Sequence, residues 1–254
     1  MPTLGNSPWW LEASTSADLE NQCERLVVSP SSVTCDGGPW RCLQQEPSGL
    51  YAAVNYGMLA DGDWNIGTYL NDDDRLVKDG VVAARKILEN DSSLAGVYGR
   101  VHLVDSKGRR MEAIPVCRRA EDLGPLLARG IVPLAQPGTL FRREVFDSLG
   151  GFDSGWRAAG DMDFFMRSWK LGHRYRFVDA CVAEFRIHPG QISQDAVAQI
   201  EREKLVESAR DQKDWVRQSF GAMCRFRYDN RQAYCRRIVR RGFVSMNKLY
   251  QPKE

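Results

Sequence analysis

Along the first three quarters of the chain, short apolar runs closed by turn residues alternate with stretches whose apolar positions recur every three or four residues. "ERLVVSP" (24–30) reads as a short buried strand ended by proline, and "WNIGTYL" (64–70) as a second, each bounded by turn residues. Between them "GLYAAVNYGMLADGD" places Leu50, Tyr51, Val54, Met58 and Leu59 at helical spacing and stops at a glycine-containing turn. "LVKDGVVAARKILEND" predicts an amphipathic helix, and "LAGVYGRVHLVDSKGRR" a strand pair or a strand entering a turn at "DSKG". "PGTLFRREVFDSLGGF" gives a short strand, a helix and a double-glycine stop. "DMDFFMRSWKLGH" predicts a helix with Phe164, Phe165 and Trp169 on its apolar side, and "YRFVDACVAEFRIH" a strand. This alternation predicts an α/β domain over residues 1–195, with helices on both faces of a mostly parallel central sheet. From about Gln194 the strand signals cease. "DAVAQIEREKLVESARDQKDWVRQSF" and "RQAYCRRIVRRGFVSMNKLY" both read as helices, so residues 196–254 are expected to form a C-terminal helical extension.

Composition leaves this picture intact. The 254 residues, 43% hydrophobic and 27% charged, suit a globular chain with one substantial core or a core plus a small appendage. The longest apolar runs stop far short of the roughly 18 to 20 residues of a membrane span, and "MPTLGNSPWW" has neither the basic start nor the apolar run of a secretion signal. Cys23, Cys35, Cys42, Cys117, Cys181, Cys224 and Cys235 are an odd set with no CxxC pair. They read as reduced thiols in a cytoplasmic protein, a Cys35–Cys42 disulfide being the alternative. Charge does change the picture: the net +2 hides a tail from Trp215 onward with ten basic residues against Asp229 and Glu254. In that tail Cys235, Val239, Gly242, Phe243, Met246 and Leu249 fall on one helical stripe, with arginines over much of the remainder. Such a helix either packs on the body or lies on an anionic membrane surface. No recognised motif frames the alternation of aromatics and arginine in "CRFRYDN", so a nucleic-acid partner is not expected.

The candidate chemistry lies in "YLNDDDRL" (69–76). Three consecutive carboxylates raise one another's cost of ionisation, and in open α/β sheets the residues after a strand such as "IGTYL" fall where ligands bind. Asp72, Asp73 and Asp74 are tolerable there if a divalent cation neutralises them, and hard oxygen ligands select Mg²⁺ or Mn²⁺, which can also hold a diphosphate. The other reading is a solvated turn that caps the helix beginning near Leu76.

Four ordered segments across about residues 48–193 carry a resemblance. "SGLYAAVNYGMLADGDWNIGTYLNDDDRL", with its Asn-x-Gly helix, strand and Asp cluster, resembles the family 2 glycosyltransferases of the Rossmann-like glycosyltransferase A fold. "QPGTLFRREVFDSLGGFD" is similar to that family's acceptor-side segment, "GDMDFFMR" to its catalytic-base segment, and "FRIHPGQIS" to its closing element. The resemblance implies metal-dependent, inverting transfer of a sugar from a nucleotide-diphosphate sugar to the hydroxyl of a saccharide or lipid-linked saccharide, in polysaccharide or glycolipid synthesis. It makes Asp161 the general base and gives the Mn²⁺ or Mg²⁺ to Asp74, Asp72 and His188. Asp72, Asp73 and Asn55 would contact the donor, Gln136 the acceptor or sugar, and Gly138 with Thr139 would allow a close backbone approach. Membrane contact through the basic tail would then bring the enzyme to lipid-linked acceptors.

Asp163 is expected to orient Arg167 or cap its helix, His102 and His173 to be structural or surface residues, Arg142 and Arg143 to be surface charges, and "GGFD" (150–153) to be a turn that shapes the pocket. Three departures stand out. "PTLGNSPWWLEAS" looks like the end of the family's first strand and the start of its first helix, so most of that strand would be missing. "SPSS" follows "LVVS" where the family presents an aspartate to the base, with Asp36 arriving later, and Arg100 replaces the acid of a "YGD" segment. The alternatives are a sugar nucleotidyltransferase, for which "TLGNSPWW" is a poor nucleotide loop, and an inactive binding subunit of the same fold.

Overall fold

The computed structural model describes residues 9–14, 23–29, 40–44, 48–60, 64–71, 73–187 and 196–235. In chain order the elements are β1 (Trp9–Ser14), β2 (Cys23–Ser29), β3 (Trp40–Gln44), α1 (Leu50–Ala60), β4 (Ile66–Asn71), β5 (Arg75–Leu76), α2 (Lys78–Asn90), β6 (Leu94–Val104) and β7 (Arg110–Ala113). There follow α3 (Leu123–Ala128), β8 (Thr139–Arg142), α4 (Arg143–Ser148), α5 (Gly160–Lys170), β9 (Arg174–Arg186), α6 (Ala196–Arg210) and α7 (Lys213–Asp229). The strands form one sheet in the order β3-β2-β1-β4-β8-β6-β9-β5, with β7 on β6. Because β6 lies inside the sheet with cover on both faces, it is apolar almost throughout rather than alternating.

The sheet is mixed, which corrects the expectation of a mostly parallel one. Only β2–β3 and β6–β9 pair in parallel among the described residues. The pairings β1–β2, β1–β4, β4–β8, β5–β9, β6–β7 and β6–β8 are antiparallel. The helical spacing of α1 and α2 argues for parallel crossovers, whereas β7 follows β6 after a short turn at Asp105, too tight for a crossover. The N-terminal expectation also needs correction. Trp9–Ser14 is not a helix start but a strand, paired on both edges by β2 and β4, which gives both of its backbone edges partners.

Running the pairings across the sheet, β2, β3, β4, β6 and β9 point one way and β1, β5, β7 and β8 the other. The carboxyl ends of β4, β6 and β9 therefore share an edge with the segment entering β8. Beneath that edge, one face carries an aromatic core of Tyr51, Trp64, Tyr69, Phe141, Phe152, Phe164 and Phe165 with their neighbours. On the other face α2 packs Ala84 and Leu88 on Leu94, Val97, Leu140 and Val182. A third cluster joins α3 through Leu127 and Ala128, α5 through Met162 and Met166, and α6 through Leu205 and Ala209, so the first helix after residue 195 shares a core with the body. The helix expected over residues 195–220 is in fact two, broken between Arg210 and Lys213.

No helix among the described residues is long and apolar enough to cross a membrane. Cys117, Cys181, Cys224 and Cys235 carry free thiols. Cys35, the side chain of Cys42 and the tail stripe beyond Cys235 lie outside the described residues.

Candidate active site

The acidic turn leaves the end of β4 and is held from across the sheet. The Asp74 amide donates to the Asn71 carbonyl at 3.1 Å. Arg186, the last residue of β9, donates its own amide to Asp74 Oδ1 at 2.9 Å and its Nε to the Asp73 carbonyl at 3.0 Å. Its Nη1 reaches the carbonyls of Asp105 and Ser106 at 3.1 and 3.2 Å. One guanidinium thus ties the turns after β4 and β6 to the end of β9 and places a positive charge beside the carboxylates. Neither Asp73 nor Asp74 is the N-cap residue of α2, which is Val77 without a side-chain bond.

Asp161 opens α5 at the same edge. Its Oδ1 accepts the Met162 amide at 2.8 Å and the Tyr51 hydroxyl at 3.3 Å. Gly160 makes this approach feasible, since a Cβ there would stand 2.7 Å from the Tyr51 ring. Burial raises the Asp161 carboxyl above the ordinary aspartate value, opposed by the Met162 amide, the Tyr51 hydroxyl and the charge of Arg202. Tyr51 and Tyr69, 1% and 3% exposed, sit between the two acidic groups. Burial raises the pKa of both phenols, and the charge of Asp161 raises both further. The charge of Asp74 adds to the rise at Tyr69.

Gln136 is brought to the same place. It lies in the short 3₁₀ turn Gln136–Gly138 that enters β8, and its Nε2 donates to the Tyr69 carbonyl at 2.6 Å. Gly138, Thr139 and Asn55 are engaged in the fold. A Cβ on Gly138 would stand 2.5 Å from Val101 Cγ2, so the close approach it permits is to β6. Thr139 Oγ1 donates to the Ala135 carbonyl at 3.1 Å. Asn55 clamps Phe152, donating from Nδ2 to its carbonyl at 2.6 Å and accepting its amide at 2.8 Å. Asp72 and His188 lie outside the described residues.

The supporting residues behave unevenly. Asp163 does orient Arg167: Arg167 Nε donates to it at 2.7 Å, while Nη1 and Nη2 hold the carbonyls of Leu149 and Gly151 at 2.8 and 3.0 Å. His173 and His102 are structural, bonded to Ser168 and Cys181. Arg142 is not the surface charge expected. It holds the carbonyls of Leu94, Leu88 and Asp91, closing the C-terminal end of α2. Arg100, in place of the family's acid, pairs with Asp179.

As for a metal, Asp73 and Asp74 are hard oxygen donors, and the buried Oδ1 of neighbouring Asn71 has no hydrogen-bond partner. That chemistry fits a divalent cation. The described residues alone contain no group of three metal-ligating side chains. Sequence reasoning missed Tyr51, Tyr69 and Arg186. Only Arg186, standing inside "FRIH", carried a signal that could have found it.

No known protein family matches the chain by sequence. No curated protein matches it either. Among solved structures the chain is similar to S. aureus TarS: the crystal structure of residues 1–349 in complex with UDP gives a TM-score of 0.47 at 12% identity, over 82% of this chain and 59% of that one. A second crystal structure of residues 1–349 gives the same values, and another of TarS gives 0.45 at 13%, over 66% and 28%. The chain thus spans 59% or less of the length of these proteins.

Proposed function

We propose that the chain is an inverting glycosyltransferase that moves a sugar from a nucleotide-diphosphate sugar to a hydroxyl acceptor. The observation that carries this reading is geometric: Asp161 opens α5 with the buried Tyr51 hydroxyl on its Oδ1, and the Asp74 turn is pinned to the end of β9 at the carboxyl edge of the sheet. Transfer to a hydroxyl needs a site for a leaving diphosphate and, within reach of it, a proton acceptor.

The acceptor hydroxyl gives its proton to Asp161 while its oxygen bonds to the anomeric carbon. The bond from that carbon to the diphosphate oxygen breaks, its electron pair leaves with the nucleoside diphosphate, and the configuration inverts. Oδ1 of Asp161 already holds the Met162 amide and the Tyr51 hydroxyl, which leaves Oδ2 to receive the proton. Burial that raises its pKa makes this aspartate a stronger base than an exposed one. Asp74, Asp72 and His188 would hold Mn²⁺ or Mg²⁺, which when bound neutralises charge on the leaving diphosphate. Arg186 keeps the acidic turn in place, and Gln136 faces the donor or acceptor sugar. The acceptor is a saccharide, free or lipid-linked.

The test combines binding and turnover. A thermal-shift panel of UDP, GDP, dTDP and CDP with Mn²⁺ should show one diphosphate raising the unfolding temperature only in the presence of metal. Asp74→Asn should remove that shift. Asp161→Asn should keep it and lose roughly 10²- to 10⁴-fold in sugar transfer. Turnover unchanged in Asp74→Asn would end the proposal.

A further inference from the structure

Helix α6 lies outside every segment that suggested the chemistry, yet it reaches the start of α5. Glu201 is 8% exposed. Its Oε1 accepts the Arg157 amide at 2.8 Å, and its Oε2 accepts the amides of Ala158 and Ala159 at 2.8 and 3.0 Å. Three consecutive N–H groups, leading directly into the helix that begins at Gly160, converge on one carboxylate. Ala159, the N-cap of α5, has no side chain able to cap, so α5 is held at its N-terminus from another helix. These are charge-assisted bonds, about twice as strong as neutral ones. Among the described residues, the hydrogen bonds of this buried carboxylate go to this loop.

We infer that Glu201 is the positioning residue for Asp161: by fixing the backbone of residues 157–159 it sets where the carboxylate two residues further on stands relative to the acceptor hydroxyl. This inference rests on the reading of Asp161 as the base. Arg202, the next residue, lowers the pKa of the same carboxyl by its charge, against the rise from burial. The helical extension is then part of the active site and not an appendage to it.

The experiment uses the full chain. Glu201→Ala should free the amides of residues 157–159, seen as at least tenfold faster hydrogen exchange, and lower kcat on the donor identified above by about 10- to 100-fold, since a displacement near 1 Å costs about that much. The affinity for the nucleoside diphosphate should not move, because the acidic turn is held by Arg186. Glu201→Gln keeps the volume and one acceptor oxygen and should recover part of the loss, and it serves as the readout if the alanine variant does not fold. Glu203→Gln, at an exposed neighbour bonded to Gln199, should match the wild type. Faster exchange with kcat unchanged overturns the positioning role alone, and exchange unchanged in both variants overturns the contact itself. A wild type that transfers no sugar but exchanges as described overturns instead the assignment of Asp161, and the positioning role with it.

Discussion

Asn55→Ala separates two roles for a residue that the family pattern assigns to the donor and the structure engages in a clamp. Asn55 exchanges two hydrogen bonds, 2.6 and 2.8 Å, with the backbone of Phe152. Phe152 follows two glycines in left-handed conformation, Gly150 at φ 69° and Gly151 at φ 80°, and is itself buried. Its ring stacks on Phe164 at 4.4 Å and contacts Tyr69 and Tyr51 at 5.4 and 5.9 Å. Truncation orphans one N–H and one C=O, each worth about 1–3 kcal/mol when left unpaired in the interior. Partial access of water to the site puts the sum near the lower end, about 2–4 kcal/mol. For a chain of this size that lowers the unfolding temperature by roughly 4–16 °C. Thermal and urea unfolding followed by circular dichroism measure the loss, and donor kinetics well below the transition measure the site. The clamp predicts reduced stability with KM for the donor within about twofold of the wild type. A KM raised tenfold with the transition unmoved would refute the clamp and return Asn55 to the donor. Asn55→Asp sharpens the test: it removes the donor to the Phe152 carbonyl and sets a carboxylate against it, so that carboxyl's pKa rises in the fold. The variant should be weakest at neutral pH and regain stability in acid, as the carboxyl takes up a proton and can donate again.

Two further outcomes follow from buried acids. Because burial raises the Asp161 pKa above its ordinary 3.8, the folded chain holds that proton more tightly than the unfolded one. The resulting stability is present below the unfolded value and is lost as pH rises through the folded value. Asp161→Asn should therefore unfold at a higher temperature than the wild type at pH 7 and show little difference near pH 3, measured by calorimetry, while its transfer activity collapses. Arg167 joins Asp163 to the carbonyls of Leu149 and Gly151, so Arg167→Met should cost about 2–3 kcal/mol by leaving Asp163 buried without its partner. Adding Asp163→Asn should recover about 1 kcal/mol of that in a double-mutant cycle by urea unfolding.

The elements were legible where period alone decides them. The spacing around Tyr51 and Met58 gives α1, the run of residues 94–104 gives β6, and the double glycine after Ser148 gives the stop of α4. Strand direction was not legible, because it depends on how each connection returns to the sheet. β8 lies between β4 and β6 and opposes both, a placement that "TLFR" does not encode. β3 and α3 went unread, and part of β1 reads as a helix start, for a related reason. Their segments carry too few residues for either period to accumulate, and their neighbours in space decide their state.

The site divides along the same line. Residue types with one chemical use, the aspartates at 73, 74 and 161, announce themselves in a string of letters. Tyr51 and Tyr69 do not, because at their spacing a tyrosine and a phenylalanine serve the core equally, and only the fold reveals that their hydroxyls face Asp161 and each other. Glu201 is harder still, since it stands in "EREKL" among charges that are exposed, and it is distinguished from Glu203 only by the loop that arrives opposite it. The cost of gathering like charges after β4 could not be weighed from the chain alone either. Neighbouring letters count the negative charges, whereas part of what holds them comes from Arg186, more than a hundred residues away along the sequence, whose amide bonds Asp74 Oδ1 and whose guanidinium bonds the Asp73 carbonyl. The acidic turn is for that reason already held in place before a cation arrives. Arg186→Gln should accordingly weaken both the order of the turn and its retention of diphosphate, whereas Asp74→Asn should remove the metal requirement and the binding together.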